Sequence, residues 1–500
     1  MSAVSPSAWA QTGALVRFRA ARAGPRVAVG LGVIVGLLLA AAPVGTLLPS
    51  DGVAQARLLL PTAWLGFGVT VLIAAATGGS RMLVPRDGLV AVPVEPGTEH
   101  LVALLLAPLN LAWIVETLGL LALAGWVYGE GRLTVTMLPG LALTLLWVLA
   151  CTVVAQCAGW LVELARTTRS GPWLLRGLVV VAIGGGLTLA VAGAWPALLD
   201  SSPLVGLAFA GLSGTAPLRW AVVAGGLLVA TLLGLLAGPP LVRRVQRRPP
   251  RDLVSVESRT YPARPDPASL LAGSLRIDRA GVWRSAPLRR GLATLAVAPG
   301  AAAAAAGLDW PMLVLMPGLV AAGAGLLFGV NAFSLDGRGA LWRESLPGGA
   351  RDWLRARFLV IAEISLGAAL LATVLGALRA PTPHPADVVA VVAAAVATTA
   401  QVLGACARWS LRHPYAAHLR EPRDQPAPPL AMAGYSARLA IRTTVVGLLL
   451  SACARGDLAT YAALIGVAVT CWSLRPVARA LEEWQRGDVR ARVVATVAAG

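Results

Sequence analysis

The sequence predicts an all-α polytopic membrane protein of about twelve transmembrane helices, built as two parallel six-helix repeats. Three observations predict it. The chain has 500 residues, 57% hydrophobic and only 13% charged, with mean hydropathy +0.73, which is more apolar surface than one soluble core can bury. Apolar runs of about 18 to 25 residues recur along the length, each able to cross the roughly 30 Å hydrocarbon layer as a helix. The chain contains no Lys, and its Arg residues gather in alternate connections between the runs, as the positive-inside bias requires.

The first six spans fall near 27–48, 61–77, 103–127, 137–160, 177–198 and 218–240; the second six fall near 291–307, 310–330, 358–378, 386–406, 436–453 and 458–474. Gly and Pro inside them are compatible with helices in lipid. The expected domains are an interfacial N-terminal helix over 1–26, a first half over 27–240, a linker with a second interfacial helix over 241–290, a second half over 291–474, and a tail over 475–500. Arg17, Arg19, Arg22 and Arg26 precede the first span, so the N-terminus is expected in the cytoplasm. Counting onward puts Arg81, Arg86, Arg166, Arg169, Arg176 and the run "RRVQRRPPR" on the same side, while Arg57, Arg132, Arg219, Arg379 and Arg455 fall opposite. An even number of spans returns the C-terminus to the cytoplasmic face of the plasma (inner) membrane.

A formal charge of +18 in a soluble protein would point to nucleic acid. Here the placement of Arg accounts for it through topology, so no nucleic-acid partner is expected. The five Cys lie in or beside apolar runs without a CxxC pair, and His413 and His418, five apart, do not share a helix face, so neither a metal nor a cofactor site is expected. A phosphate-binding GxxxxGK[ST] loop needs Lys; without one, no ATP-hydrolysing activity is expected in this chain.

Two polar islands interrupt the apolar pattern: "VPRDGLVAVPVEPGTEHL" (Val84 to Leu101) and "NAFSLDGRGALWRESLPGGARDWLRARF" (Asn331 to Phe358), the second with five Arg and three acidic residues. A shift of about 245 to 250 residues aligns Asp87-Gly88 with Asp336-Gly337, Pro96-Gly97 with Pro347-Gly348, Glu116 with Glu363, and Gln156 with Gln401. Six spans per unit give both units one orientation, so both islands face the cytoplasm. In the second, "ARDWLRARF" reads as a short helix running into the ninth span, with Trp353 and Leu354 toward lipid or a partner and Arg351, Arg355 and Arg357 solvated or paired with headgroups.

Glu116 and Glu363 fall inside the third and ninth spans, where a carboxylate is costly. They either line the interface between halves and contact substrate, or serve structure by hydrogen bonding. Gln156 and Gln401 are expected to bond between helices. Trp113, Trp126, Trp147, Trp160, Trp310, Trp409 and Trp472 lie near span ends and are expected to anchor the interface.

The second island resembles the cytoplasmic loop of type-two ATP-binding-cassette (ABC) exporter permeases: Asn, Asp-Gly, then Pro with small residues, then a short basic helix entering the third span of its half. "WAQTGALVRFRAARAG" (Trp9 to Gly24) and "WRSAPLRRGL" (Trp283 to Leu292) are similar to the amphipathic helix that precedes the first span in that family. The resemblance implies a fused two-half permease that exports an unidentified substrate, driven by a separate ABC-type ATPase subunit in two copies. It also implies that the islands couple to that subunit through Asp87, Gly88, Pro96, Gly97, Asp336, Gly337, Pro347, Gly348, Arg351, Asp352 and Arg355. The first island departs from the pattern in having fewer basic residues. A proton-coupled secondary transporter with Glu116 and Glu363 as carriers is the alternative, and a non-transporting membrane scaffold is a third reading; paired cytoplasmic hairpins favour the permease.

Overall fold

A computed structural model describes residues 8–77, 94–109, 111–168, 170–212, 217–247, 265, 267–337, 339–345, 349–416 and 427–499. Every regular element among the described residues is a helix. Nine of these helices are long and apolar enough to cross a membrane, and shorter apolar helices occupy Gly32–Gly45, Trp113–Gly129 and Gly291–Ala306. The protein is a polytopic α-helical membrane protein. Its outward surface agrees: Leu178, Val179, Val180 and Val181 are exposed in succession, and Leu232, Leu233 and Leu236 are exposed on another helix, which water would not tolerate and lipid does.

The chain divides into two compact units, Met1–Val181 with Pro196–Thr260 and Ala182–Trp195 with Tyr261–Gly500. The helices lying wholly or mostly in the first unit are α1 (Ala8–Gly45), α2 (Val53–Thr77), α3 (Pro96–Leu106), α4 (Leu111–Gly129), α5 (Leu138–Arg166) and α6 (Gly171–Val191), then the short α7 (Trp195–Asp200) and α8 (Pro203–Phe209), and α9 (Pro217–Gln246). α5 packs between α2 and α9, α4 packs on α1 and α2, and α3 packs on α1 and α9. Small residues allow the closest crossing: a Cβ on Gly45 would lie 1.9 Å from the Ala122 carbonyl oxygen, and one on Gly125 would lie 2.2 Å from that of Ala42. In lipid there is little hydrophobic drive between helices, so such backbone approach and its dispersion contacts carry the association.

The second unit contains α10 (Leu270–Arg284), α11 (Ala286–Ala306), α12 (Trp310–Leu313), α13 (Met316–Ala324), α14 (Gly339–Ser345), α15 (Ala350–Gly376), α16 (Pro385–Arg412), α17 (Pro429–Arg455), α18 (Ala459–Glu483) and α19 (Gly487–Ala498). α16 is central, with α13, α15, α17 and α18 around it; α11 lies along α15. A Cβ on Gly404 of α16 would lie 2.1 Å from the Ser473 oxygen of α18.

Three boundaries differ from the sequence expectation. α1 is one helix of 38 residues, with no break between the expected interfacial helix and the first span. The third span is divided into α3 and α4 by a 3₁₀ turn at Ala107–Leu109, where Pro108 cannot donate to the helix ladder. The C-terminal tail is folded: Trp484, Val493, Val494 and Val497 are buried, and α19 packs on α14. The indoles differ too. Trp160 is fully buried, while Trp126, Trp147 and Trp310 donate to the carbonyls of Pro49, Trp64 and Pro381, so these rings fasten helix to chain.

Gly404→Val should lower the thermal midpoint in detergent, with a loss of about 1–3 kcal/mol from overpacking, whereas Gly434→Ala, whose Cβ meets open space, should lose nothing. Equal midpoints for the two variants would contradict the close α16–α18 approach.

Candidate functional site

The second island is a built hairpin. The helix containing α13 ends in a π turn at Gly325–Gly329, after which the chain runs irregularly to α14. Asn331 donates from Nδ2 to the Tyr415 carbonyl at 2.8 Å, and its Oδ1 accepts from the Phe333 amide. The Ala332 amide donates to Ser410 Oγ at 2.9 Å, and the Phe333 ring stacks on buried Trp484 with centroids 4.9 Å apart. Gly337, at φ +46°, supplies the left-handed turn after Asp336.

Beneath this turn four charges are buried together. Arg357 holds Asp278 with both ends of its fork, Nε to Oδ2 at 3.0 Å and Nη2 to Oδ1 at 2.9 Å, and Nη2 also reaches Asp336 at 2.9 Å. Its Nη1 donates to the Ala332 carbonyl. Arg343 bridges the same two carboxylates, at 2.7 Å to Asp278 and 2.5 Å to Asp336, and its guanidinium lies 4.1 Å from the Trp353 ring centroid. Side-chain exposure is at most 10% for all four, so two cations and two anions compensate one another with little water. The tetrad ties α10, the turn, α14 and the first turns of α15 into one body. Burial alone would raise the Asp278 carboxyl, but the Arg357 and Arg343 charges overcome it and hold the group below its usual range.

Several expected assignments change accordingly. Asp336 belongs to the tetrad and is nearly buried, so it holds the turn and is not a free grip for a partner. Arg357 is buried rather than solvated, Leu354 is 1% exposed, and Trp353 lies under Arg343 rather than against lipid. Arg351 and Arg355 are exposed as expected; Asp352 is half-exposed, 3.8 Å from Arg355, in the acidic first turn that suits a helix N-terminus. The exposed apolar pair is Leu341 and Trp342 on α14, at 57% and 65%. Pro347 and Gly348 lie outside the described residues. Asp278 escaped sequence reasoning; its only signal was a lone acid in the basic amphipathic stretch "SLRIDRAGVWR".

Asp87 and Gly88 of the first island also lie outside the described residues. Pro96 opens α3 behind the N-cap Glu95, and Gly97 lies against Ala8 of α1. There Thr98 donates to Gln11 Oε1 at 3.0 Å and the Glu95 amide donates to the same oxygen. Gln246 of α9 donates to Glu99 at 2.6 Å, and Trp160 donates to His100 Nδ1 at 3.2 Å. The described end of the first island, 94–101, is thus fixed by neutral and single-charge hydrogen bonds where the second island uses a charge tetrad.

The intramembrane residues separate. Glu363 is half-exposed and paired with Arg279 of α10 at 2.8 Å. Glu116 faces the Thr70 hydroxyl, and its Oε2 is buried without a partner. Gln156 Nε2 and Gln401 Oε1 are likewise buried and unpartnered, so these atoms do not supply the expected interhelical bonds.

No protein-family model matches the chain, and no curated protein or solved structure matches it.

Asp278→Asn leaves two buried guanidiniums facing one carboxylate and should destabilise the second unit by about 3–5 kcal/mol in detergent denaturation. A loss below about 1 kcal/mol, the scale of an exposed pair, would contradict the buried tetrad. Because the Asp278 carboxyl is held below its ordinary value, its contribution is complete above about pH 4 and is lost as pH falls through the lower folded value. The stability difference between wild type and Asp278→Asn should therefore be flat from about pH 5 to 8 and shrink in acid.

Proposed function

We propose that the chain is the permease subunit of an ABC-type exporter, with two fused six-helix halves moving an unidentified substrate across the plasma membrane while a separate ATPase, in two copies, hydrolyses ATP. The observation that carries this reading is the second island: a hairpin locked from below by the Asp278–Asp336–Arg343–Arg357 tetrad that presents Trp342, Leu341, Arg351 and Arg355 outward. A hairpin that must transmit force needs a stiff base and a free face, and this one has both. A push on Arg351 or Arg355 acts directly on α15, one helix from Ala350 to Gly376 that enters the membrane, and reaches α10 through Arg357 and Asp278. For ATP to drive transport, the ATPase must bind the two packings of the permease with different free energies.

The twelve-span, two-repeat layout is supported by matching neighbours within each unit. Reading α1, α2, α3–α4, α5, α6 and α9 as spans one to six, and α11, α12–α13, α15, α16, α17 and α18 as seven to twelve, the same pairs pack in both halves: first with third, second with third, second with fourth, third with fourth, and fourth with sixth. The three shorter apolar helices occupy the first, third and seventh positions. In both halves the segment before the first span docks on its own island, through Gln11 and Thr98 in one and through Asp278 and Arg357 in the other. The proton-coupled alternative retains Glu116, whose Oε2 has no partner, but Glu363 is already neutralised by Arg279.

If a cassette ATPase co-purifies with the wild-type chain, replacing Trp342, Arg351 and Arg355 together with Ala, Gln and Gln should abolish that co-purification and leave membrane insertion and the melting profile unchanged. Full retention of the complex would exclude the island as the docking face. Glu116→Gln should leave that complex intact and transport at the full wild-type rate with or without a proton gradient; gradient-driven transport in the wild type that is lost in Glu116→Gln would favour the secondary transporter.

A further inference from the structure

A cleft of about 680 Å³ opens in the second unit between α16, α17 and α18. Three cations line it: Arg408, one turn from the end of α16, and Arg438 and Arg442, one turn apart on a single face of α17. All three are exposed, and among the described residues no carboxylate lies within ion-pair distance of any of them. This contrasts with the tetrad of the same unit, where two guanidiniums share two carboxylates. Arg438 lies over the Trp409 ring at 5.8 Å, which covers a face of the guanidinium and leaves its edge donors available.

Apart from Tyr435, Ser473 and Gln401 the rest of the lining is apolar, Leu439, Val469 and Trp472 among it, and it reaches Gln401, about 10 Å along α16 from Arg408 at 1.5 Å per residue. Gln401 Oε1 is buried there without a partner. Arg408 lies one turn from the end of α16 and Arg438, over Trp409, lies beside it, with Arg442 one turn deeper along α17; that end of the α16 span lies at headgroup level. The cleft is therefore cationic at headgroup depth and apolar toward the hydrocarbon. A free inorganic anion would satisfy the first part and leave the second empty; a zwitterionic lipid would fill the second and bring its own cation to the first.

We infer that this cleft is a binding site for an anionic phospholipid, with Arg408, Arg438 and Arg442 on the phosphate and an acyl chain along Leu439 and Val469. Convergence of Arg from two helices on one phosphate satisfies the guanidinium donors and relieves their mutual repulsion. The site concerns the lipid-facing fold alone and does not depend on the exporter reading.

Native mass spectrometry of the full chain in neutral detergent tests it, with phosphatidylglycerol, phosphatidylcholine and glycerol 1-phosphate as separate probes. Wild type should retain phosphatidylglycerol, with phosphatidylcholine and glycerol 1-phosphate bound at least about tenfold more weakly. The triple variant Arg408→Gln, Arg438→Gln, Arg442→Gln should lose that preference. Arg243→Gln with Arg244→Gln, which removes two exposed arginines at the end of α9, should keep it. Ala468→Trp fills the cleft while leaving every cation in place, and should displace the lipid even if the triple variant fails to fold. Equal retention of phosphatidylcholine would overturn the proposal, as would full effect from glycerol 1-phosphate alone or undiminished phosphatidylglycerol binding in Ala468→Trp.

Discussion

The burial of four mutually dependent charges governs the second half of this protein. Asp278 comes from a helix outside the spans, Asp336 from a turn, Arg343 from a helix of seven residues, and Arg357 from the start of a long apolar helix. Each is tolerable in a dry site only because the other three are present, so the elements carrying them are fixed together. Net neutrality makes the cluster stable, and the geometry makes it specific: a forked guanidinium against a carboxylate accepts few alternative positions. From that fixed base follow the left-handed Gly337, the buried Leu354, and the outward face carrying Trp342, Arg351 and Arg355.

A second constraint is the lipid. Spans cannot be held together by hiding apolar side chains from water, because their surroundings are equally apolar. The crossings therefore use Gly and Ala at the points of closest approach, as Gly45 and Gly125 do for α1 and α4 and Gly404 does for α16 and α18. Large aliphatic side chains are left to face outward, and α6 is the extreme case, exposed over most of its length. Chemistry that needs charge is concentrated at the helix ends, where the hairpin and the three-arginine cleft both lie.

The membrane character, most spans and the position of the second hairpin were legible in the sequence, because hydropathy and Arg placement report directly on which segments lipid accepts. Continuity was less legible. Nothing in "AWAQTGALVRFRAARAGPRVAVG" distinguishes a helix that bends at the interface from one that continues, and the single α1 resulted. Side-chain roles within the hairpin were the least legible. Arg351, Arg355 and Arg357 look alike in "ARDWLRARF", yet the first two are exposed and the third is buried against Asp278, 79 residues earlier in the chain. Glu363 looked like an isolated intramembrane acid because its partner Arg279 lies 84 residues away on α10. Pairings at such separation leave no local pattern. The anchoring of Asn331 and Phe333 by Tyr415, Ser410 and Trp484 was hidden for the same reason.

The central claim is that the second hairpin is a rigid body whose stiffness comes from buried charge. Hydrogen–deuterium exchange across residues 331–358 in lipid nanodiscs measures that stiffness directly, comparing wild type with Arg357→Met. The account predicts slow exchange at the amides of Ala332, Asp336 and Ala356 in the wild type, with acceleration at Ala332 and Asp336 in the variant while the membrane-embedded part of α15 stays protected. Rapid exchange of the hairpin in the wild type, or unchanged protection after the tetrad is broken, would contradict it.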